Sequence, residues 1–256
     1  MAKVYRVIGL EGFPLVKEGD DLAEIIVEVA EKEGFPLEDR DIIVVAQKIV
    51  SKAEGRLVRL SDVEVGGEHR ETGEYAERDP RLVKLVFNEA KETLKKSEEA
   101  IVVENKNGMI CINAGIDKSN VEGRDTYSLL PLNPDLSADK LRKKIRELAG
   151  VDVAVAICDS SSRPFRRGLV EFTIGLAGMN PFRDYRGKPD LFGYLLKVKN
   201  VAVADEIASS AELVMGNGDE AIPVAIIRGL DFEMAEGHSA EELFVKREED
   251  LFKGVL

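Results

Sequence analysis

The sequence predicts a mixed α/β fold of the α+β kind, built from mixed sheets and hairpins, and neither a Rossmann nor a P-loop fold. Three observations point there. Short β-branched runs, "DIIVVA", "VDVAVAIC" and "IPVAIIRG", read as buried strands. Amphipathic segments of helical spacing lie between them. The stretch "AIVVENKNGMICIN" holds two strand-like runs around Asn107-Gly108, which is a hairpin signal and not a crossover.

Taken in order, residues 3–10 are short, rich in β-formers and predicted as a strand, and 11–20 as a loop. Residues 21–34 carry helical spacing, with Asp20 or Asp21 as N-cap and Gly34 closing. Residues 41–46 form a buried strand that runs straight into "QKIVSKAEGR". Residues 79–98 read as one amphipathic helix with Pro80 in its first turn. "NAGIDKSNVEG" (113–123) is a polar loop, and 137–150 a helix capped by Ser137. Residues 151–158 are a strand, followed by the polar "DSSSRPFRRG" (159–168). Residues 198–205 read as a strand, 206–215 as a helix and 222–229 as a strand. The closing segment 239–252 has Ser239 and Glu242 spaced as a capping box.

The 256 residues carry 36 Lys and Arg against 48 Asp and Glu, a formal charge of −12. That excludes the broad basic footprint of a nucleic-acid binder and makes any local basic cluster informative. No apolar run approaches the ~20 residues of a membrane span, and the N-terminus lacks a signal-peptide pattern, so a cytoplasmic protein is expected. Cys111 and Cys158 sit singly in apolar runs and read as small buried hydrophobes. His69 and His238 lie in polar stretches, which argues against a His-based triad or a His-ligated zinc.

Four polar segments follow apolar elements: "QKIVSKAEGR", "NAGIDKSN", "DSSSRPFRRG" and "MGNGDEAIP". Such ends are where α/β proteins place ligands. Asp117 and Asp159 are metal candidates, with Asn120 and Ser160 nearby, because a hard cation such as Mg²⁺ takes carboxylate, amide and hydroxyl oxygens. Lys52, Arg163, Arg166 and Arg167 supply donors suited to phosphate. For "DSSSRPFRRG" the choice lies between a solvated loop paired with surface acids and a corner for a metal and a multiply charged anion. No G-x-x-x-x-G-K-[ST] is present. "GNGDEA" (216–221) fits G-x-G-x-x-A but follows a helix and precedes a strand, the reverse of the dinucleotide fingerprint.

"IVSKAEGR", "NAGIDKSNV", "DSSSRPFRRG", "VADEIASSAELVMG" and "AIPVAIIRG" together resemble the coenzyme F-420-0:γ-glutamyl ligase family, in the right order over most of the chain. The resemblance implies GTP-dependent attachment of L-glutamate to the lactyl side chain of the deazaflavin coenzyme F-420-0, then of a second glutamate, γ-linked, to F-420-1. It also implies two divalent ions (Mg²⁺ or Mn²⁺), a potassium ion and a homodimer. Carried over by residue, Asp117 and Asp159 would bind one metal, and Ser160 the second. Phe13, Pro14, Leu15, Val16, Gln47, Lys48, Lys52 and Asn120 would line the nucleotide. So would the loop Met215, Gly216, Asn217, Gly218, Asp219, Glu220, Ala221 and Ile222. Asn217 stands where members carry Glu or Gln at a position of the second metal. Together with Asp117 and Asp159, Arg166 and Arg167 are the expected catalytic set. The chain is expected to be a single catalytic unit over 1–256, or two intimately packed lobes, without the C-terminal flavin-reductase-like domain of some relatives. A metal-dependent phosphatase or NTP hydrolase, and a non-catalytic nucleotide-binding module, remain as alternatives.

Overall fold

The computed structural model describes residues 2–65, 78–97, 100–246 and 249–250. Along the chain run β1 (Arg6–Gly9), α1 (Leu22–Lys32), β2 (Ile42–Ala46), α2 (Gln47–Ala53), β3 (Leu57–Arg59), α3 (Pro80–Glu89), β4 (Ala90–Lys96), β5 (Ile101–Asn105) and β6 (Ile110–Ile112). Then come β7 (Thr126–Ser128), α4 (Pro134–Ala149), β8 (Ala154–Arg163), β9 (Arg166–Ala177), β10 (Arg183–Asp184), β11 (Asn200–Val201), α5 (Val203–Met215) and β12 (Val224–Arg228). The mixed α/β class predicted from sequence is the class observed, and the glycine-rich segment from Gly216 does follow a helix and precede a strand.

The chain divides into two compact units. The first comprises Met1–Leu15, Asp21–Ile49 and Pro134–Leu243; the second comprises Val16–Asp20, Val50–Asn133 and Phe244–Leu256.

The first unit is built on a five-stranded sheet of order β1-β12-β2-β8-β9. Only β2 and β8 are parallel; the other pairs are antiparallel. Parallel pairing needs cover on both faces, and Ile42–Val45 and Ala154–Cys158 are accordingly buried throughout. The alternate residues Ile42, Val44, Ala154, Ala156 and Cys158 pack against Ala204, Ile207, Ala208 and Ala211 of α5. On the other face Gly175 of β9 lets the head of α4 come close, since a Cβ there would meet the Pro134 oxygen at 2.5 Å. Asp135 accepts from the main-chain N–H groups of Leu176 and Ala240, and Asp205 from that of Thr173. Burial pushes both carboxyls above the usual range. Between β10 and β11 a long excursion exposes Leu191, Phe192, Tyr194, Leu195 and Val198.

The second unit carries the antiparallel sheet β4-β5-β6 and the pair β3-β7. Val83 and Val86 of α3 pack on Ile101, Val103 and Cys111, while Leu60, Leu85 and Leu129 form a second cluster. Both cysteines are buried, as expected of small hydrophobes, and neither is in a disulfide.

Several elements depart from expectation. The helix predicted over 79–98 ends at Glu89, and Ala90–Lys96 is strand β4. "AKETLKK" has helix-favouring residues, but pairing with the buried strand β5 overrides that preference, helped by the Lys91–Glu104 ion pair across the ladder. The strand predicted over 198–205 survives only as Asn200–Val201, because α5 begins at Val203 and buries Val203 and Ala204 against the sheet. The helix after Asn133 starts at Pro134 and not at Ser137, with Pro in the first turn and Asp135 beside it. At the C-terminal end the capping-box pair opens only the short 3-10 turn Ala240–Leu243, where Glu242 accepts from the Ser239 N–H at 3.1 Å. His69 lies outside the described residues; His238 is bound to the carboxylate of Glu242 at 2.9 Å.

Candidate active site

"DSSSRPFRRG" is neither a loop nor the end of a strand. Strand β8 continues through it to Arg163 and returns as β9, so the polar residues form the outer half of a long hairpin. Asp159 pairs with Phe172, Ser160 with Glu171, Ser161 with Val170, Ser162 with Leu169 and Arg163 with Arg166. Their side chains offer no apolar alternation, so this half of the ladder is set by the partner strand and not by local pattern. Asp159 and Ser160 are half-buried, whereas Arg166 and Arg167 are exposed.

Opposite Ser160 stands a residue that reading the sequence missed. Glu171 is buried, with a relative exposure of 7%, and the Ser209 hydroxyl of α5 donates to its main-chain oxygen at 2.9 Å. Burial raises its carboxyl to about 7, and the nearby charges of Asp159 and Glu212 add to the rise. Hydrogen bonds from the Cys158 thiol and the Asn217 side chain act against it. Burial, followed by the neighbouring Glu171, drives the Cys158 thiol well above its ordinary range, so that thiol is not a nucleophile. Asn217, just past the C-terminus of α5, also donates to Glu212. Asp159, Glu171, Glu212 and Asn217 therefore form one electrostatic cluster in the first unit, with Ser160 on the adjoining strand position. The signal in the sequence was a lone carboxylate within the apolar run "LVEFTIGLA".

The glycine-rich loop folds onto its own acid. Gly218 N–H donates to Glu220 Oε2 at 2.7 Å, and a Cβ on Gly216 would fall within 2.2 Å of that carboxylate. Met215 is buried at the end of α5, while Gly216 to Ala221 are exposed and Ile222 is half-buried. Phe13 is half-buried, Pro14 and Leu15 are exposed, and Gln47 and Lys48 open helix α2 with Gln47 buried.

Asp117, Asn120, Lys52 and Val16 belong to the second unit. Both carboxylate oxygens of Asp117 accept from Ser119, from its N–H at 2.8 Å and its hydroxyl at 2.6 Å. The backbone of Asp117 forms a two-way bridge with Ser128. Asp117 thus organises a turn, as a loop aspartate commonly does, and a carboxylate has lone pairs left for a cation. Asn120 follows with φ 53°, a left-handed position that Asn tolerates. Lys52 is half-buried in the last turn of α2.

Among the described residues no three His, Cys, Asp or Glu side chains are placed to hold a metal ion by themselves. The donors present still suit a hard dication. They are all oxygen, and a carboxyl raised to about 7 by burial, with the neighbouring carboxylates adding to the rise, is a group that added positive charge would stabilise in its ionised form. Mg²⁺ in phosphate-transfer sites typically uses one or two carboxylates and takes its remaining ligands from substrate phosphates and water.

A family model described as F420-0:Gamma-glutamyl ligase matches residues 12–229. The protein called coenzyme F420:L-glutamate ligase in Methanothermobacter thermautotrophicus is 41% identical over 249 residues, covering 97% of this chain and 98% of the relative. Proteins of the same name are 42% identical in Methanocaldococcus jannaschii over 250 residues, covering 97% of this chain and 96% of the relative, and in Archaeoglobus fulgidus over 251, covering 98% and 97%. With a model match across most of its length and relatives this similar from end to end, the chain belongs to the F420-0:gamma-glutamyl ligase family.

Proposed function

We propose that this protein is a cytoplasmic, GTP-dependent ligase that adds L-glutamate to coenzyme F420-0, and then a second glutamate, γ-linked, to F420-1. The reading is carried by one observation. A single hairpin sets oxygen donors, Asp159 and Ser160, beside the Glu171–Glu212–Asn217 cluster, and carries three guanidiniums at its far end.

The chemistry follows from the substrates. A carboxylate is a poor acylating agent because its oxygen leaves badly. An acceptor carboxylate oxygen attacks the γ-phosphorus of GTP, and the bond to GDP breaks. The amine of glutamate then attacks the acyl carbon, and phosphate departs with the oxygen that attacked. Three anions must share one site, so positive charge is required even on a chain of net charge −12. Lys48, Lys52, Arg166 and Arg167 supply part of it. Asp117 and Asp159 would hold one divalent ion, and Ser160 with Asn217 the second; bound there, Mg²⁺ or Mn²⁺ would neutralise phosphate charge. A potassium ion enters the proposal with the family and is assigned to no residue. The exposed apolar run at Leu191–Val198 supports a homodimer.

An acceptor labelled with ¹⁸O in its terminal carboxylate tests the path. One labelled oxygen should appear in inorganic phosphate for each amide bond formed. Unlabelled phosphate alongside accumulating amide would sink the acyl phosphate, and phosphate release without glutamate would favour a hydrolase.

A further inference from the structure

The tip of the β8–β9 hairpin breaks three local rules at once. Its two-residue turn is Pro164-Phe165, and Phe165 sits at φ 59°. That left-handed position costs a bulky residue strain that glycine or asparagine would avoid. The pair that closes the turn is Arg163 opposite Arg166, like charges face to face where an opposite pair would stabilise. The buried Nε of Arg163 lacks a hydrogen-bond partner, and Arg163 Nη2 reaches the Arg167 main-chain oxygen only at 3.5 Å. Buried polar nitrogens are almost always satisfied, so an orphan calls for an absent acceptor. Phe165 and Leu169 are 73% and 56% exposed. A turn chosen for stability would carry glycine here, with an acid opposite an arginine.

The combination has a chemistry. An exposed aromatic face stacks a planar ring, and guanidiniums around it accept an anion attached to that ring. Two neighbouring arginines become favourable once a carboxylate lies between them. Guanosine also offers a ring and anions, but it is the acceptor that joins a large tricyclic ring to a carboxylate side chain.

We propose that Phe165 is the stacking platform for the deazaflavin ring of the acceptor, and that Arg163 and Arg166 take the anionic side chain of the same molecule. The assignment rests on the acceptor reading above and deepens it by naming the subsite.

The test is a titration of coenzyme F420-0 into the protein without nucleotide, followed by the ring's fluorescence, with GTP affinity measured separately by calorimetry. Phe165→Gly removes the ring and relieves the backbone, so it should fold at least as well as the parent. It should bind the acceptor about tenfold more weakly or worse, with GTP affinity unchanged. Phe165→Tyr should restore binding, and Arg163→Met should weaken it and flatten its dependence on salt. Unchanged acceptor affinity in Phe165→Gly, beside a parent that binds normally, would overturn the platform and leave the ligase reading standing. Loss of GTP affinity in that variant would reassign the ring to guanine and overturn the platform too. A parent protein that neither binds nor glutamylates F420-0 would overturn both readings.

Discussion

The two ends of the β8–β9 hairpin are made by opposite rules. At its base Ala154–Cys158 and Ile174–Ala177 are buried and packed under α5 and α4. At its tip Arg163–Leu169 is mostly exposed and holds a strained turn, a like-charge pair and an orphaned nitrogen. Between them, at Asp159, Ser160 and Glu171, lies the step from apolar to polar. One continuous ladder carries all three zones, so a rigid base can hold a tip that would not be stable alone. Local rules fail where a chain is shaped for a ligand and hold where it is shaped for the fold.

Two substitutions separate the step from the base, and a third probes the charge of the step. The largest effect is expected at the step. Asp159→Asn keeps the shape and removes a charge, and should lower turnover about 1,000-fold, or ~4 kcal/mol in barrier, with the melting temperature unchanged. A near-normal rate in a steady-state assay would take Asp159 out of the site. Next comes the base. Ile157 is fully buried, and Ile157→Ala should cost about 3 kcal/mol in denaturant titration while the folded fraction keeps its turnover number. An equal loss of turnover per folded molecule would show that the base reaches into the chemistry.

The smallest effect concerns pH. Glu171 has its carboxyl raised by burial from 4.5 to about 7, so the folded state holds the proton more tightly than the unfolded state. The stability this contributes is complete below the unfolded value and is lost as pH rises through the folded one. Metal-free protein should therefore lose stability relative to Glu171→Gln between those two values, by at most ~1.4 kcal/mol per pH unit. Parallel stability curves for the two proteins would show that Glu171 is already ionised by a neighbour's help.

The base was legible in the sequence and the tip was not, for a physical reason. Strands such as Ile42–Ala46 and Val224–Arg228 announce themselves because both faces are buried, and α1 is bounded by Asp21 and Gly34 as read. Asp159 and the arginines stood out because they interrupt an apolar run. Their strand did not, since "DSSSR" has no apolar face and its pairing is dictated by residues further along the chain. The same non-local cause turned Ala90–Lys96 into strand β4. Glu171 was hidden by its apolar neighbours, and its meaning lies in Asp159, Glu212 and Asn217, which only folding brings near it.

The outer margin of the five-stranded sheet has a consequence for how the protein behaves among its own copies. Among the described residues strand β9 has no neighbouring strand beyond it within the sheet, and an edge strand twelve residues long invites another chain to add on wherever its amides are open. Those amides are already engaged. Asp205 takes the Thr173 N–H, Asp135 takes the Leu176 N–H, and Ser209 donates to the Glu171 oxygen. Further out, the register shift between Arg166 and Leu169 and the left-handed Gly168 distort the ladder beside two exposed arginines. Side chains of α4 and α5 thus stand in for the missing strand. A growing cross-β stack would have to strip two half-buried aspartates from their amides before its first rung could form.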